Sequence, residues 1–345
     1  MSREGAKSRA RGKVLIIGGG IAGMSASLAL SSLGHEVSLV ERSPCLGGRA
    51  SRLHLLFPDR RPSWPIVHQL VDRVEGDGGI GTFLSREVTS WEPREGKHAV
   101  ELDDGQRIEA DAVVLATGLE CVPAALVPEF GHGLKKGVLT TMELEERLAL
   151  GKDPADGELR AAVFVQCVGS RTERRGVPYC SALCCASSIK NALALKKGNP
   201  EAEVTVLYID IRTAGVGQEA LYREARRTGV RFIRGQPSLV MERDGRLVVC
   251  GENTLLRELY EIPADLVILA TGVRQSASNL LMMDEVGIAQ GVTGFPTADG
   301  SRTSVAGVFL AGSAKGPMDL PTAVQDAKGC ALDVHAYLGR MAGQV

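Results

Sequence analysis

The feature that most constrains this chain is a short apolar run that ends in glycines. Residues 13–17 read as a buried β-strand, and Gly18-x-Gly20-x-x-Gly23 follows at once. Residues 21–33 then carry apolar and small side chains at helical spacing, up to Gly34, a usual helix stop. Residues 36–40 read as a second strand. Strand, glycine turn, helix and strand make a βαβ unit with parallel strands and a right-handed crossover. In such a unit Gly18 makes the tight turn and Gly20 leaves room for a pyrophosphate against the backbone. Gly23 lets the helix pack on the strand, and the helix opening at Ile21 and Ala22 aims free N–H groups and a positive dipole end at the phosphates. Glu41 ends the second strand, eighteen residues past Gly23, where a carboxylate accepts hydrogen bonds from ribose hydroxyls. The unit is built to bind a dinucleotide.

The same plan recurs further along. Residues 160–166 read as a strand, 180–197 as a helix and 204–209 as a strand. A polar meander follows each βαβ unit, from 83 to 108 and from 238 to 250, with Asp104-Gly105 a strong hairpin turn. Each copy then closes on a matching run: DAVVLATG at 111–118 and DLVILATG at 265–272. A last strand at 307–311 and a helix at 322–338 end the chain. The expectation is an α/β protein with two Rossmann-like domains, the second inserted in the first. The first is discontinuous, over 1–145 and 275–345, and the insertion covers 146–274. Two domains also suit 345 residues at roughly 100–200 residues each.

Bulk properties exclude several classes. Forty basic residues balance forty-one acidic ones, so nothing drives nucleic-acid binding, and 4% aromatics offer no base-stacking surface. No apolar run reaches the ~20 residues that span a bilayer. The basic, polar start reads as a loose tail over residues 1–11 rather than a signal peptide; a cytoplasmic protein is expected. Eight cysteines in such a chain do not form a disulfide framework. Cys45, Cys121, Cys250 and Cys330 stand alone and read as ordinary buried thiols. Cys167, Cys180, Cys184 and Cys185 crowd into nineteen positions and require another explanation.

After Glu41 the chain reads RSPCLGGR, residues 42–49. This run resembles the continuation found in flavoproteins with two dinucleotide domains, including the thioredoxin reductases. The resemblance implies that Arg42, Gly47, Gly48 and Arg49 lie along the pyrophosphate and ribitol of FAD. It also implies flavin contacts at Ala116-Thr117-Gly118 and at Gly312, which ends GVFLAG. Pro321 fits the first turn of the last helix, whose N-terminus, at Thr322, can stabilise negative charge on a reduced flavin. Asp319 is either the cap of that helix or a flavin contact.

In thioredoxin reductases the inserted domain carries its own glycine loop for NADPH. Here the corresponding strand runs into Cys167-Val-Gly169-Ser170-Arg171, with neither a G-x-G-x-x-G nor a C-x-x-C dithiol. Gly215-Val-Gly217 follows the wrong strand for a phosphate loop and reads as a turn. A thiol-bearing loop has replaced the phosphate loop. Its pattern, QCVGSR-x7-YCS-x2-CC-x3-IKNA, resembles the signature of the heterodisulfide reductase A-subunit family. YIDIRTAG and GVFLAGSAKGPMDLPTAVQDA resemble further blocks of that family. The resemblance implies FAD, a [4Fe-4S] cluster held by Cys167, Cys180, Cys184 and Cys185, and a Lys190 placed by the flavin ring as a catalytic cation. Arg171, Arg174 and Arg175 would offset the cluster's charge. It further implies a homodimer, and cysteine-rich and ferredoxin-like partner subunits. This chain lacks the C-x2-C-x2-C-x3-C-P runs of the longer methanogen forms. It is similar to the short form of the heterodisulfide-reductase-like complex of sulfur oxidisers. The residues alone leave two alternatives: a free-standing pyridine-nucleotide disulfide reductase using Cys184 and Cys185, and a flavoprotein with four zinc-binding cysteines.

Overall fold

The computed structural model describes residues 12–94 and 96–343; the tail expected over 1–11 lies outside them. The chain forms two units, one of residues 1–51, 65–120 and 275–345, the other of 52–64 and 121–274.

Each unit is built on five parallel strands. In the first, the order is Val308–Leu310, Ala112–Leu115, Lys13–Ile17, Glu36–Glu41, Ile80–Leu84. In the second it is Val138–Thr140, Leu266–Thr271, Ala161–Val168, Glu203–Tyr208, Arg231–Arg234. The two orders correspond strand for strand. The central strands are mostly apolar because both faces of each parallel sheet are covered, one by helices and the other by the unit's antiparallel meander; all eight residues of Ala161–Val168 are buried. Each DxxxxATG run gives its sheet the strand beside the first one, and its aspartate plays the same part twice. Asp111 Oδ2 accepts from Lys13 N at 2.7 Å. Asp265 Oδ2 accepts from Arg160 N and Ala161 N, each at 2.8 Å. Both carboxylates thereby clamp the start of the neighbouring central strand.

The polar meanders are three-stranded antiparallel sheets, Val88–Arg94, Lys97–Leu102 and Arg107–Ala110 in one unit and Pro237–Arg243, Arg246–Asn253 and Glu258–Ala264 in the other. Gly105, at φ +81°, makes the expected hairpin turn. Gly217, at φ +84°, lies in the expected turn, just before helix Gln218–Arg227.

The second unit starts earlier than residue 146. Val138–Thr140 is an edge strand of its sheet, and helix Thr141–Ala149 follows with a Thr140/Glu143 capping box. The unit also takes back residues 52–64, which the sequence pattern assigns to the first domain. Polar ties explain this. Arg60 grips Glu224 with two bonds, at 2.7 and 3.0 Å, and His54 N donates to Glu145 Oε2 at 3.0 Å. Side-chain ties across a hundred residues leave no mark on hydrophobic periodicity.

Candidate functional site

In the first unit the glycine pattern behaves as its spacing requires. Gly18 sits at φ +109°, and a Cβ there would lie 2.5 Å from the Ala116 carbonyl oxygen. A Cβ on Gly23 would lie 1.8 Å from the Gly18 carbonyl oxygen, so the helix approaches the turn only with glycine at this point. Above Gly20 the space is open, with nothing within 4 Å of a built Cβ. Helix Ile21–Ser32 starts at Gly20 with no side-chain cap and no acid in its first turn. Its first N–H groups and dipole are left for an anion. Gly47 N donates to the Gly19 carbonyl at 2.9 Å, which lays the Gly47-Gly48 turn beside this opening. Gly312, at φ +62°, packs on Ala22, with 2.4 Å from its built Cβ to the Ala22 Cβ.

Glu41 is buried, and both its oxygens are engaged. Gly19 N donates to Oε2 at 2.7 Å and Ser43 N to Oε1 at 2.8 Å. The carboxylate thus braces the glycine turn, and each oxygen keeps a lone pair for a hydroxyl donor. Arg49 Nη1 donates to the Leu119 carbonyl at 3.4 Å, while Arg42 is exposed. Thr117 Oγ1 is shielded from solvent without a hydrogen-bond partner, a state that costs about 1–3 kcal/mol unless a ligand or water meets it. Open space at Gly20, an uncapped helix start and an orphaned hydroxyl all fit a bound dinucleotide. Asp319 is the helix cap: its Oδ1 accepts from Thr322 N at 2.9 Å, with Pro321 in the first turn of Leu320–Ala342.

In the second unit Cys167, Cys180, Cys184 and Cys185 line one small cavity. Three local devices bring them there. A bulge displaces the end of strand Ala161–Val168 and puts Cys167 at φ +59°, which re-aims its side chain. The loop 169–183 folds on itself: Val177 N donates to the Gly169 carbonyl at 3.1 Å, Arg171 N to the Tyr179 carbonyl at 3.1 Å, and Ser170 Oγ to that same carbonyl at 2.8 Å. Helix Cys184–Gly198 then begins at Leu183 with no side-chain cap and no acid in its first turn. Cys184 and Cys185 therefore stand at a positive helix end. The helix expected from residue 180 begins only at Cys184, so Cys180 lies outside it. Ala182, at φ +57°, turns the chain between them.

Cys184 Sγ donates to the Thr271 carbonyl at 3.4 Å and Cys185 Sγ to the Asp210 carbonyl at 3.6 Å. The neighbours thus point at different strand ends rather than at each other. Among the described residues no three His, Cys, Asp or Glu side chains are arranged to hold a metal ion as they stand. Burial, reinforced by Cys185, pushes the Cys167 thiol up to about 11, and burial with the surrounding thiols pushes Cys184 up too. A nucleophilic cysteine needs the opposite shift. Thiols crowded in this way lose their protons only to a strong positive charge among them, which a metal centre supplies; the donor set fits one.

Arg171 pairs with Asp210 at 2.9 Å and lines the cavity, whereas Arg175 is held by Glu129 at 2.6 Å and Arg174 is exposed. Asp210 and Arg212, both lining residues, were missed as site residues. They follow strand Glu203–Tyr208, whose C-terminal end adjoins that of the Cys167 strand, and sites in such sheets gather at those ends. Both amide atoms of Gln166, on the Cys167 strand, are buried without a partner, as is Ser188 Oγ. Lys190 is neither solvated nor unpaired. It is 1% exposed and forms an ion pair with Glu145, itself 0% exposed, and Nζ also donates to the Leu55 carbonyl at 2.8 Å.

The family profile described as pyridine nucleotide-disulphide oxidoreductase matches residues 12–327. The chain belongs to that family. It is accordingly a flavoprotein oxidoreductase, and its fold is that of the thioredoxin reductases. The Lactococcus lactis thioredoxin reductase (FR conformation) superposes with a TM-score of 0.69 at 19% identity, over 95% of this chain and 99% of that one. The enzyme from T. acidophilum gives 0.68 at 19% identity, over 94% and 97%. In sequence, the chain is related to the A subunits of heterodisulfide reductases. The iron-sulfur A subunit of CoB–CoM heterodisulfide reductase from Methanocaldococcus jannaschii is 30% identical over 92% of this chain and 63% of that protein. A Methanopyrus kandleri counterpart is 32% identical over the same shares. This flavoprotein thus spans less than two thirds of the length of those relatives. Among the described residues no helix is long and apolar enough to cross a membrane.

Proposed function

We propose that this flavoprotein is the FAD- and iron–sulfur-containing electron-transfer subunit of a heterodisulfide-reductase-like complex, acting in the cytoplasmic oxidation of bound sulfur. The observation that carries this reading is the gathering of four cysteines at one cavity, at the strand end where a nucleotide-binding Rossmann unit keeps its phosphate loop. Gly18, Gly20, Gly23 and the first turn of Ile21–Ser32 hold the pyrophosphate, Glu41 the ribose hydroxyls, and Thr117 and Gly312 the flavin side. Cys167, Cys180, Cys184 and Cys185 would hold a [4Fe-4S] cluster, which takes four thiolates and would supply one-electron transfer. The relatives are named as subunits, and that supports assembly with partner subunits; cysteine-rich and ferredoxin-like partners and a homodimer belong to the same reading.

Protein purified without air should contain iron and acid-labile sulfide in equal amounts and give an EPR signal after dithionite reduction. Zinc in their place, or no metal in folded yellow protein, would sink the cluster. A second expectation separates this reading from a nucleotide-dependent disulfide reductase. Under anaerobic stopped-flow conditions, NADH and NADPH should leave the flavin oxidised on the timescale of turnover, because the second unit offers no glycine loop. Rapid bleaching by either nucleotide would favour the reductase.

A further inference from the structure

The cysteine cavity has a charged edge as well as its four thiols: Arg171, Asp210 and Arg212 line it with them. Cys167 and Cys185 are buried, and Cys180 and Cys184 are half-buried. The Arg171 and Asp210 side chains are 24% and 44% exposed, so their ion pair stands on the solvent side of the sulfurs. The pair also joins two segments of different origin. Arg171 belongs to the loop that follows Cys167 and carries Cys180. Ser170 N donates to the Cys167 carbonyl at 3.2 Å, and Arg171 N to the Tyr179 carbonyl at 3.1 Å. Asp210 follows strand Glu203–Tyr208, and its carbonyl accepts the Cys185 thiol at 3.6 Å. Its carboxylate meets Arg171 at 2.9 Å and Arg234 at 4.0 Å. One contact thus ties the side of the cavity built from Cys167 and Cys180 to the side that receives Cys185. Asp210 also opposes the charge of Arg171, which leaves this arginine poorly suited to offset charge on the sulfurs.

We propose that the Arg171–Asp210 pair is a strap across the mouth of the cavity, which sets how readily metal and small reagents reach the four thiols. Both are positioning residues and neither is a ligand. An ion pair this open to water shifts an equilibrium by at most a factor of about five. A strap of that strength opens often, which suits a gate better than a brace of the fold. What the strap does for metal rests on the cluster reading; what it does for the thiols needs no metal, and the test uses that difference.

The full-length chain and the variants Arg171→Gln, Asp210→Ala and Arg171→Gln/Asp210→Ala are stripped of metal and treated with iodoacetamide. Mass spectrometry follows Cys167, Cys180, Cys184 and Cys185, while retained flavin and circular dichroism report folding. Each single variant should be alkylated about fivefold faster than the unaltered chain, and the double variant no faster than either. Raised salt should speed the unaltered chain and leave the variants nearly unchanged. Arg171→Gln separates a strap from a counter-charge, because losing a neighbouring cation disfavours thiolates and by itself slows alkylation. In protein loaded without air, release of iron to a chelator should follow the same order. The inference is overturned if Arg171→Gln is alkylated at an unchanged or slower rate, if the two single effects multiply in the double variant, or if all four loaded proteins release iron equally. Unaltered protein that holds no iron, with alkylation as expected, would instead overturn the cluster and leave the strap over the thiols standing.

Discussion

A Gly20→Leu variant is expected to purify folded and colourless, while Gly23→Ala is expected to lose the fold of the first unit. The two glycines lie three residues apart and fail for opposite reasons. Gly20 has φ −73° and ψ −174°, extended backbone open to any residue, and nothing stands within 4 Å of its built Cβ. A leucine there starts in open space and reaches into the place kept for the pyrophosphate. At Gly23 the first added carbon would lie 1.8 Å from the Gly18 carbonyl oxygen and 3.5 Å from the Ala116 Cβ. Helix and strand must part, and with them the packing of Met24, Ala26 and Leu30 on the sheet. Overpacking of this kind costs typically 1–3 kcal/mol, sometimes more. Flavin absorbance per chain and thermal melting separate the outcomes. Stoichiometric flavin in Gly20→Leu would remove the pyrophosphate from this turn.

Lys190→Met is expected to destabilise the protein by about 3–5 kcal/mol, the cost of leaving a buried partner charge uncompensated. The partner is Glu145, whose Oε1 also accepts from Asn191 Nδ2 at 2.9 Å and whose Oε2 accepts from His54 N at 3.0 Å. Burial pushes the Lys190 ammonium below the usual lysine range, against the pull of Glu145. Lys190→Met/Glu145→Gln keeps one acceptor oxygen, removes the orphaned charge and should recover part of the loss in urea denaturation. A double variant as unstable as the single one would show that shape rather than charge sets the cost. Flavin-reduction potentials of the same proteins read a second property. A lower potential in Lys190→Met is the result if the lysine serves the flavin as the family signature implies.

The parallel sheets, the duplicated ATG strands and the hairpin at Gly105 were legible in the sequence because each writes a local pattern: an apolar run, a repeat, a turn residue. The glycine site was legible because its demands are steric and fall within six residues. The cysteine cavity was legible as a composition anomaly, though not in its geometry. Helical propensity over 180–197 gave no sign that positive φ at Cys167 and Ala182 would delay the helix to Cys184. The contributions of Asp210 and Arg212 depend on which strand ends lie side by side, and that is settled by topology. The pairing of Lys190 with Glu145 spans 45 residues, and the return of residues 52–64 to the second unit rests on side-chain bonds that no period encodes.

The aspartates at 111 and 265 carry a consequence for how such a chain can change over generations. Each fastens the N-terminal edge of its central strand through backbone amides, so those bonds ask nothing of the side chains on the strand they hold. Once it is secured, the opposite edge can be rewritten without renegotiating the sheet. Two copies of one chassis can then drift apart in chemistry while remaining alike in construction, one keeping glycines for a phosphate and the other gathering sulfur.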